Sequence, residues 1–234
     1  MADLVVPGCT QIAFGFLNAF LVDTGGDSLV LIDTGTPVWF HRRRLLAALG
    51  ENGRDPADLG DILITHQHID HAGGAAAIVA ATGARVHIHE LDAPELEAGD
   101  RPRPGTGRSI FTNLAAYGSR WMKLRQVDVD HRLVDGELLA GSLGIEAIHT
   151  PGHTAGHTSY LWPAHGGVLF AGDALANFRG KRQHAPVAAD WDQVVTSLAK
   201  LAEYEYQTVV FGHGPILRGN AVAEVRRFAE FCAG

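Results

Sequence analysis

The chain has 234 residues, 46% of them hydrophobic and 19% charged, an ordinary globular composition long enough to bury a large core and unlike that of a disordered segment. A net charge of −7 argues against a nucleic-acid partner, which would select a basic face. No run is apolar enough to span a membrane, and Met1-Ala2-Asp3-Leu4-Val5-Val6-Pro7 lacks the pattern of a secretory leader, so a cytoplasmic protein with no membrane partner is expected. Cys9 and Cys232 stand near opposite ends and read as two unpaired thiols.

In chain order, residues 17–22 and 28–32 read as strands joined by the turn Asp23-Thr24-Gly25-Gly26-Asp27. Thr36 followed by Pro37 marks a helix start, and that helix turns Leu45, Leu46 and Leu49 inward and stops near Gly50 to Gly53. Its Arg42-Arg43-Arg44 run is expected to be a solvated face. Residues 61–65 form the next strand, a helix from Ala72 to Gly83 follows, and residues 85–89 are a further strand. His87 and His89 share one face of it and read as structural. Residues 99–107 are too rich in glycine and proline for regular structure. The stretch 109–125 places Ile110, Phe111, Leu114, Tyr117, Trp121 and Met122 at helical spacing, as core or, alternatively, as a lid.

The second half repeats the theme, with strands at 144–149, 158–162, 166–171 and 207–211. A helix over 191–204 is capped by Asp190, with Gln193 three residues on. Asn220 opens an amphipathic closing helix carrying Val222, Val225, Phe228, Ala229 and Phe231. Two strand-rich halves with flanking helices, and no low-complexity linker between them, predict paired sheets between helical layers in one domain over 1–234.

The chemistry sits in Thr65-His66-Gln67-His68-Ile69-Asp70-His71. Three imidazoles and a carboxylate within six positions cannot bury themselves cheaply, because each unpaired buried polar group costs about 1–3 kcal/mol. A divalent ion satisfies several of them at once, since neutral imidazole nitrogen and carboxylate oxygen are good ligands for zinc and its neighbours. His153 in a tight turn, Asp173 after Gly172, and His213 between two glycines each follow a strand, where loops from distant parts of an α/β chain converge. His41, His131, His149, His165 and His184 read as non-ligands.

On these residues the chain resembles the metallo-β-lactamase superfamily, the αββα hydrolases that include glyoxalase II, lactonases and β-lactamases. The family's His-x-His-x-Asp-His stretch is matched by His66, His68, Asp70 and His71, and its later histidine, aspartate and histidine by His153, Asp173 and His213. Leu31-Ile32-Asp33-Thr34-Gly35 and the Pro-Gly-His-Thr-x-Gly-His form around His153 also match, so the likeness runs from about Asn18 to His213. The resemblance implies an α/β fold, a four-layer αββα sandwich of two mixed β-sheets flanked by helices. It implies two divalent metal ions, Zn2+ first and Fe or Mn as alternatives. His66, His68 and His153 would hold one ion and Asp70, His71 and His213 the other, with Asp173 between them. Asp33 and His157 would orient ligands, and Asp70 would aim a metal-bridging hydroxide at an ester, thioester or lactone of a small-molecule substrate.

Two other functions are compatible with this fold: a mononuclear iron enzyme like the persulfide dioxygenases, and a non-catalytic metal-binding protein. The presence of His71 and His213 favours the dinuclear hydrolase. Among hydrolases, only about twenty residues follow His213, against the helical extension with which glyoxalase II binds glutathione, and Asp173-Ala174-Leu175-Ala176-Asn177-Phe178 lacks the tyrosine that lactonases tend to carry. Arg179, Lys181 and Arg182, with the 99–125 segment, are the expected substrate-facing groups.

Overall fold

The computed structural model describes residues 2–23, 25–26, 28–51, 53–99, 106–107, 124–139, 144–178, 181–184 and 186–233. Strands β1 (Ala2–Val6), β2 (Cys9–Phe14), β3 (Leu17–Asp23), β4 (Leu29–Ile32), β5 (Leu59–Leu63) and β6 (Arg85–His89), followed by His131–Leu133, lie side by side in one mixed seven-stranded sheet. It is antiparallel through β4 and parallel from β4 onward. The second sheet has six strands in the spatial order Leu217–Arg218, Thr208–Val210, Val168–Phe170, Thr158–Trp162, Glu146–His149 and Glu137–Leu138. Within it, Val168–Phe170 and Thr208–Val210 run parallel.

Side chains alternate across each strand, so one residue in two enters each of two cores. Phe20, Val22, Val30, Ile32 and Leu63 face Ala147, Tyr160, Trp162, Phe170 and Val210 of the other sheet. Their neighbours Leu21, Leu31, Ile62 and Val86 turn outward beneath helices α1 (Trp39–Glu51), α3 (Ala75–Thr82) and α4 (Ala93–Ala98). On the far side Ile148, Leu169 and Val209 lie beneath Trp191–Leu201 and Ala221–Ala233. The result is the four-layer αββα sandwich expected from the sequence. Burial on both faces explains why β4 reads Leu-Val-Leu-Ile without alternation.

Several local expectations are corrected. The first helix begins at Trp39 rather than at Pro37: its first carbonyl acceptor is Val38 O, which takes the His41 N–H at 3.1 Å and the Arg42 N–H at 3.4 Å, while the Thr36 N–H donates to His41 Nδ1 at 3.1 Å. The helix expected from Ala72 to Gly83 is two, α2 (Ile69–Ala72) and α3, broken at Gly73 and Gly74. A Cβ on Gly73 would lie 2.6 Å from Pro37 Cδ, and Gly74 donates to Gly35 O at 3.0 Å, so the break lets the histidine loop close on the 34–37 turn. Gly83 ends α3 in the left-handed conformation, as expected.

The hairpin of β1 and β2 was not foreseen, and Arg44 is less solvated than its neighbours because its Nε donates to Ala13 O. Phe231 is 81% exposed: the inward stripe of the last helix is Ala221, Val225 and Ala229, whose four-residue spacing leaves position 231 well off that face. Asp190 does cap its helix, accepting from the N–H groups of Asp192 and Gln193. Cys9 and Cys232 form no disulfide; Cys9 is buried and Cys232 Sγ lies 3.2 Å from His184 Nε2. Most of the proposed 109–125 helix or lid lies outside the described residues, as do Arg179 and the Lys181 and Arg182 side chains. No helix among the described residues is long and apolar enough to cross a membrane.

Candidate metal centre

The seven predicted ligands meet at one edge of the sandwich. Asp33 follows β4 and His66 follows β5, two parallel neighbours; His153, Asp173 and His213 follow three strands of the second sheet. Cross-links between the sheets hold this edge closed: Thr158 N–H donates to Thr65 O at 2.8 Å, Tyr160 Oη to Ile64 O at 2.8 Å, and Asn18 N–H to Gly212 O at 2.9 Å.

Three ring nitrogens converge first. His66 Nε2 lies 3.0 Å from His68 Nδ1, His68 Nδ1 lies 2.8 Å from His153 Nε2, and His153 Nε2 lies 3.2 Å from His66 Nε2. Their surroundings assign the protons. His153 Nδ1 faces Val187 O at 2.7 Å, so it carries the hydrogen and leaves Nε2 as a lone pair. Thr65 Oγ1 spends its hydrogen on Asp33 at 2.9 and 3.0 Å, so it accepts from His66 Nδ1 at 3.1 Å, and His66 Nε2 is again a lone pair. Lone pairs aimed at one another repel unless a cation sits among them, which is the arrangement a metal requires.

The second group is built on carboxylates. His71 Nδ1 donates to Asp33 Oδ2 at 2.7 Å, and its buried Nε2 makes no hydrogen bond, 3.5 Å from Asp173 Oδ1, which also makes none. His213 Nε2 lies 3.2 Å from Asp173 Oδ2 and 3.6 Å from Asp70 Oδ2. Asp173 Oδ2 is also 3.5 Å from His153 Nε2, so this carboxylate touches both groups. Among the described residues, ligand atoms converge in three overlapping sets: His66, His68 and His153; His66, His71 and Asp173; and Asp70, His71 and His213.

Electrostatics separates the halves. Burial, reinforced by the neighbouring rings, holds His66 well below its ordinary range and His153 at about 3, so the three-histidine half is neutral. Burial would lower His71 too, but Asp173, Asp33 and Asp70 outweigh it and push it up to about 10. For Asp173, burial acts upward, yet His213 and His71 keep the carboxyl well below the usual range. A proton on His71 thus does in the metal-free chain what a cation would do between these carboxylates.

His157 contributes no ligand atom. Its Nε2 accepts the Asp173 N–H at 2.9 Å and its Nδ1 donates to Thr150 Oγ1 at 2.8 Å, so the ring holds the Asp173 backbone. The other histidines lie elsewhere: His87 pairs with Asp61 at 2.7 Å, and His89 stacks on His149 at 4.0 Å. Three groups went unnoticed in the sequence. Asn18 donates to Phe211 O and Gly214 O around His213; Asp92 accepts from the loops of His66 and His153; Phe16, 67% exposed, stacks on the His213 ring at 5.8 Å. Asp92 stands before Ala93-Pro94 and carries only the signal of a helix cap.

Gly212 has no room for a side chain: a Cβ would fall 2.5 Å from both Asp173 Oδ1 and His71 Cε1. Gly212→Ala is therefore expected to cost about 1–3 kcal/mol through overpacking and to displace the carboxylate half. Thermal unfolding and metal analysis check this; wild-type Tm with wild-type metal content would contradict it.

An αββα sandwich with histidines and carboxylates gathered at the strand ends defines a class of metal-dependent hydrolases. Residues 12–213 match the profile of the metallo-β-lactamase superfamily, and the chain belongs to that family. It is 30% identical over 216 residues to an uncharacterized protein of Mycobacterium leprae, covering 92% of each chain. It is 31% identical over 221 residues to a hydroxyacylglutathione hydrolase of Fuscovulum blasticum, covering 93% of this chain and 68% of that one. Of two further hydroxyacylglutathione hydrolases it spans just under half the length, 47% and 46%. A subclass B3 metallo-β-lactamase of Bradyrhizobium japonicum superposes with a TM-score of 0.72 at 23% identity, over 98% of this chain and 91% of that one, a likeness of fold.

Proposed function

We propose that the chain is a dinuclear metal-dependent hydrolase that cleaves an ester, thioester or lactone of a small molecule. The observation that carries this reading is the position of Asp173, whose carboxylate lies within 3.5 Å of His153, His71 and His213 and so joins both donor groups. His66, His68 and His153 would hold one ion, Asp70, His71 and His213 the second, with Asp173 shared. The nitrogen-rich first group favours zinc. When bound, such a pair supplies a water that ionises near neutral pH and polarises the substrate carbonyl.

The chain's own residues then do the rest. Asp70 is the most open carboxylate of the centre, its side chain 32% exposed where Asp173 is 5%, so it can accept a hydrogen bond from the attacking water and aim it. Asp33 holds the His71 ring by its Nδ1, and His157 holds the Asp173 backbone N–H. The Phe16 ring beside His213 offers an apolar wall to the acyl or leaving group. Water adds to the acyl carbon, the C–O or C–S bond breaks, and the leaving alcohol or thiol takes a proton.

The hydroxyacylglutathione hydrolases among the relatives support a thioester. The test is a panel of thioesters, acyl-homoserine lactones, phosphodiesters and cephalosporins on zinc-, manganese- and iron-loaded protein. Turnover of a thioester, ester or lactone with about two ions bound per chain is expected. Protein isolated without chelators that carries iron and no zinc, and consumes oxygen with a persulfide, would overturn the hydrolase and establish the dioxygenase reading. A cytoplasmic location is part of the proposal.

A further inference from the structure

Asp92 is fully buried and stands at the N-terminus of α4, yet its carboxylate makes no hydrogen bond to that helix. It is turned instead toward two loops. Oδ2 accepts the Gln67 N–H at 3.1 Å and the Thr154 hydroxyl at 2.7 Å, and Oδ1 accepts the Gly156 N–H at 2.8 Å. Gln67 lies between His66 and His68, and Thr154 follows His153. One carboxylate therefore ties together the two chain segments, 85 residues apart, that deliver the three converging ring nitrogens. The loop is shaped to admit it, for a Cβ on Gly156 would lie 2.8 Å from Asp92 Oδ1.

Charge makes the arrangement more pointed. A buried carboxylate is costly unless paired, and no Lys or Arg among the described residues pairs with Asp92. Its three hydrogen bonds satisfy its lone pairs but do not neutralise it. The donors beside it are neutral imidazoles, whereas Asp70 lies among the donors of the other half. A divalent ion among His66, His68 and His153 would supply the missing positive charge.

We propose that Asp92 is the positioning residue of the three-histidine half: it fixes the His66–His68 loop against the His153 loop and places a negative charge behind their shared ion. The proposal rests on the ion assignment made above. It predicts a lopsided effect, because Asp92 has no contact with Asp70, His71 or His213.

The test titrates metal-free protein with Co2+, reading bound ions per chain and the visible absorption of the ion, and follows imidazole 15N resonances of the zinc-loaded protein. Asp92→Asn is expected to weaken one binding step by about 10–100-fold, with the resonances of His66, His68 and His153 displaced and those of His71 and His213 retained. Thr154→Val, which removes one of the three donors and leaves the carboxylate, is expected to act in the same direction and less; it decides the matter on the same criteria if Asp92→Asn does not fold. Equal weakening of both steps, or no weakening of either, overturns the proposal. A wild-type chain that binds no divalent ion overturns the ion assignment and this proposal with it, and that outcome is read before any variant is made.

Discussion

Asp70→Asn is expected to lower kcat/KM by about 10²–10⁴-fold, the range lost when a positioned acid–base group is removed. Burial on its own would raise the Asp70 pKa, but His71 above all, then His213 and His68, pull it below the usual range despite Asp173, so the side chain is an anion. Its Oδ2 lies 3.6 Å from His213 Nε2 and 3.9 Å from His71 Nε2, near enough for the three to share the ion proposed there, and its side chain is 32% exposed. Asparagine keeps the shape and loses the charge. The fold is expected to survive, since Asp70 belongs to none of the three hydrophobic clusters and its side chain is partly exposed. Steady-state kinetics, circular dichroism and metal analysis on the same preparation separate these effects. Turnover within threefold of wild type, roughly 0.6 kcal/mol, would remove Asp70 from the mechanism.

Asp33→Asn is expected to damage both stability and metal binding. Asp33 is 2% exposed and accepts four hydrogen bonds: Oδ1 from the Thr65 N–H at 2.8 Å and hydroxyl at 3.0 Å, Oδ2 from the same hydroxyl at 2.9 Å and from His71 Nδ1 at 2.7 Å. An asparagine can keep an oxygen toward the Thr65 N–H, but its amide then points an N–H at the N–H of His71. The imidazole escapes this clash by moving its proton to Nε2, the atom aimed at the carboxylates and at any ion between them. Leaving a buried donor unmatched costs about 1–3 kcal/mol, a fall in Tm of roughly 2–12 °C for a domain of this size. Loss of the orienting partner is expected to weaken the ion at His71 by about 10–100-fold.

The backbone sharpens the choice of variant. Asp33 has a φ of 59°, a left-handed conformation that asparagine tolerates and alanine does not. Asp33→Ala is therefore expected to lose more stability than Asp33→Asn for a reason unrelated to metal. Calorimetric unfolding of both variants, with and without Zn2+, checks this. Equal metal-induced stabilisation of wild type and Asp33→Asn would show that Asp33 does not set the His71 tautomer.

Much of the fold was legible because burial on both faces leaves a local mark. The strand Thr158–Trp162 falls within its expected bounds, and β4 and β5 stand out as apolar runs between turns. Asp190 and Gly83 announce a helix start and a helix end through side-chain chemistry and a left-handed turn. The failures are equally physical. Thr36-Pro37 has the composition of a helix start, but the first carbonyl to accept a helical N–H is that of Val38, so the helix opens two residues later. Phe231 has the right hydrophobicity and the wrong angle, because small residues set the inward stripe.

At the candidate centre the same division holds. By itself the sequence determined the donor chemistry: His66, His68, Asp70 and His71 are crowded too closely to be core, and their spacing is a local property of a strand end and a short helix. The tertiary structure decided which groups meet them and in what state. That Asp173 touches both donor groups, that Asp33 and Val187 assign the ring protons, and that Asp92 and Asn18 brace the loops are relations between residues up to 196 positions apart. Such contacts are fixed by sheet pairing and by hydrogen bonds across the two sheets, and periodicity along a chain carries no record of them.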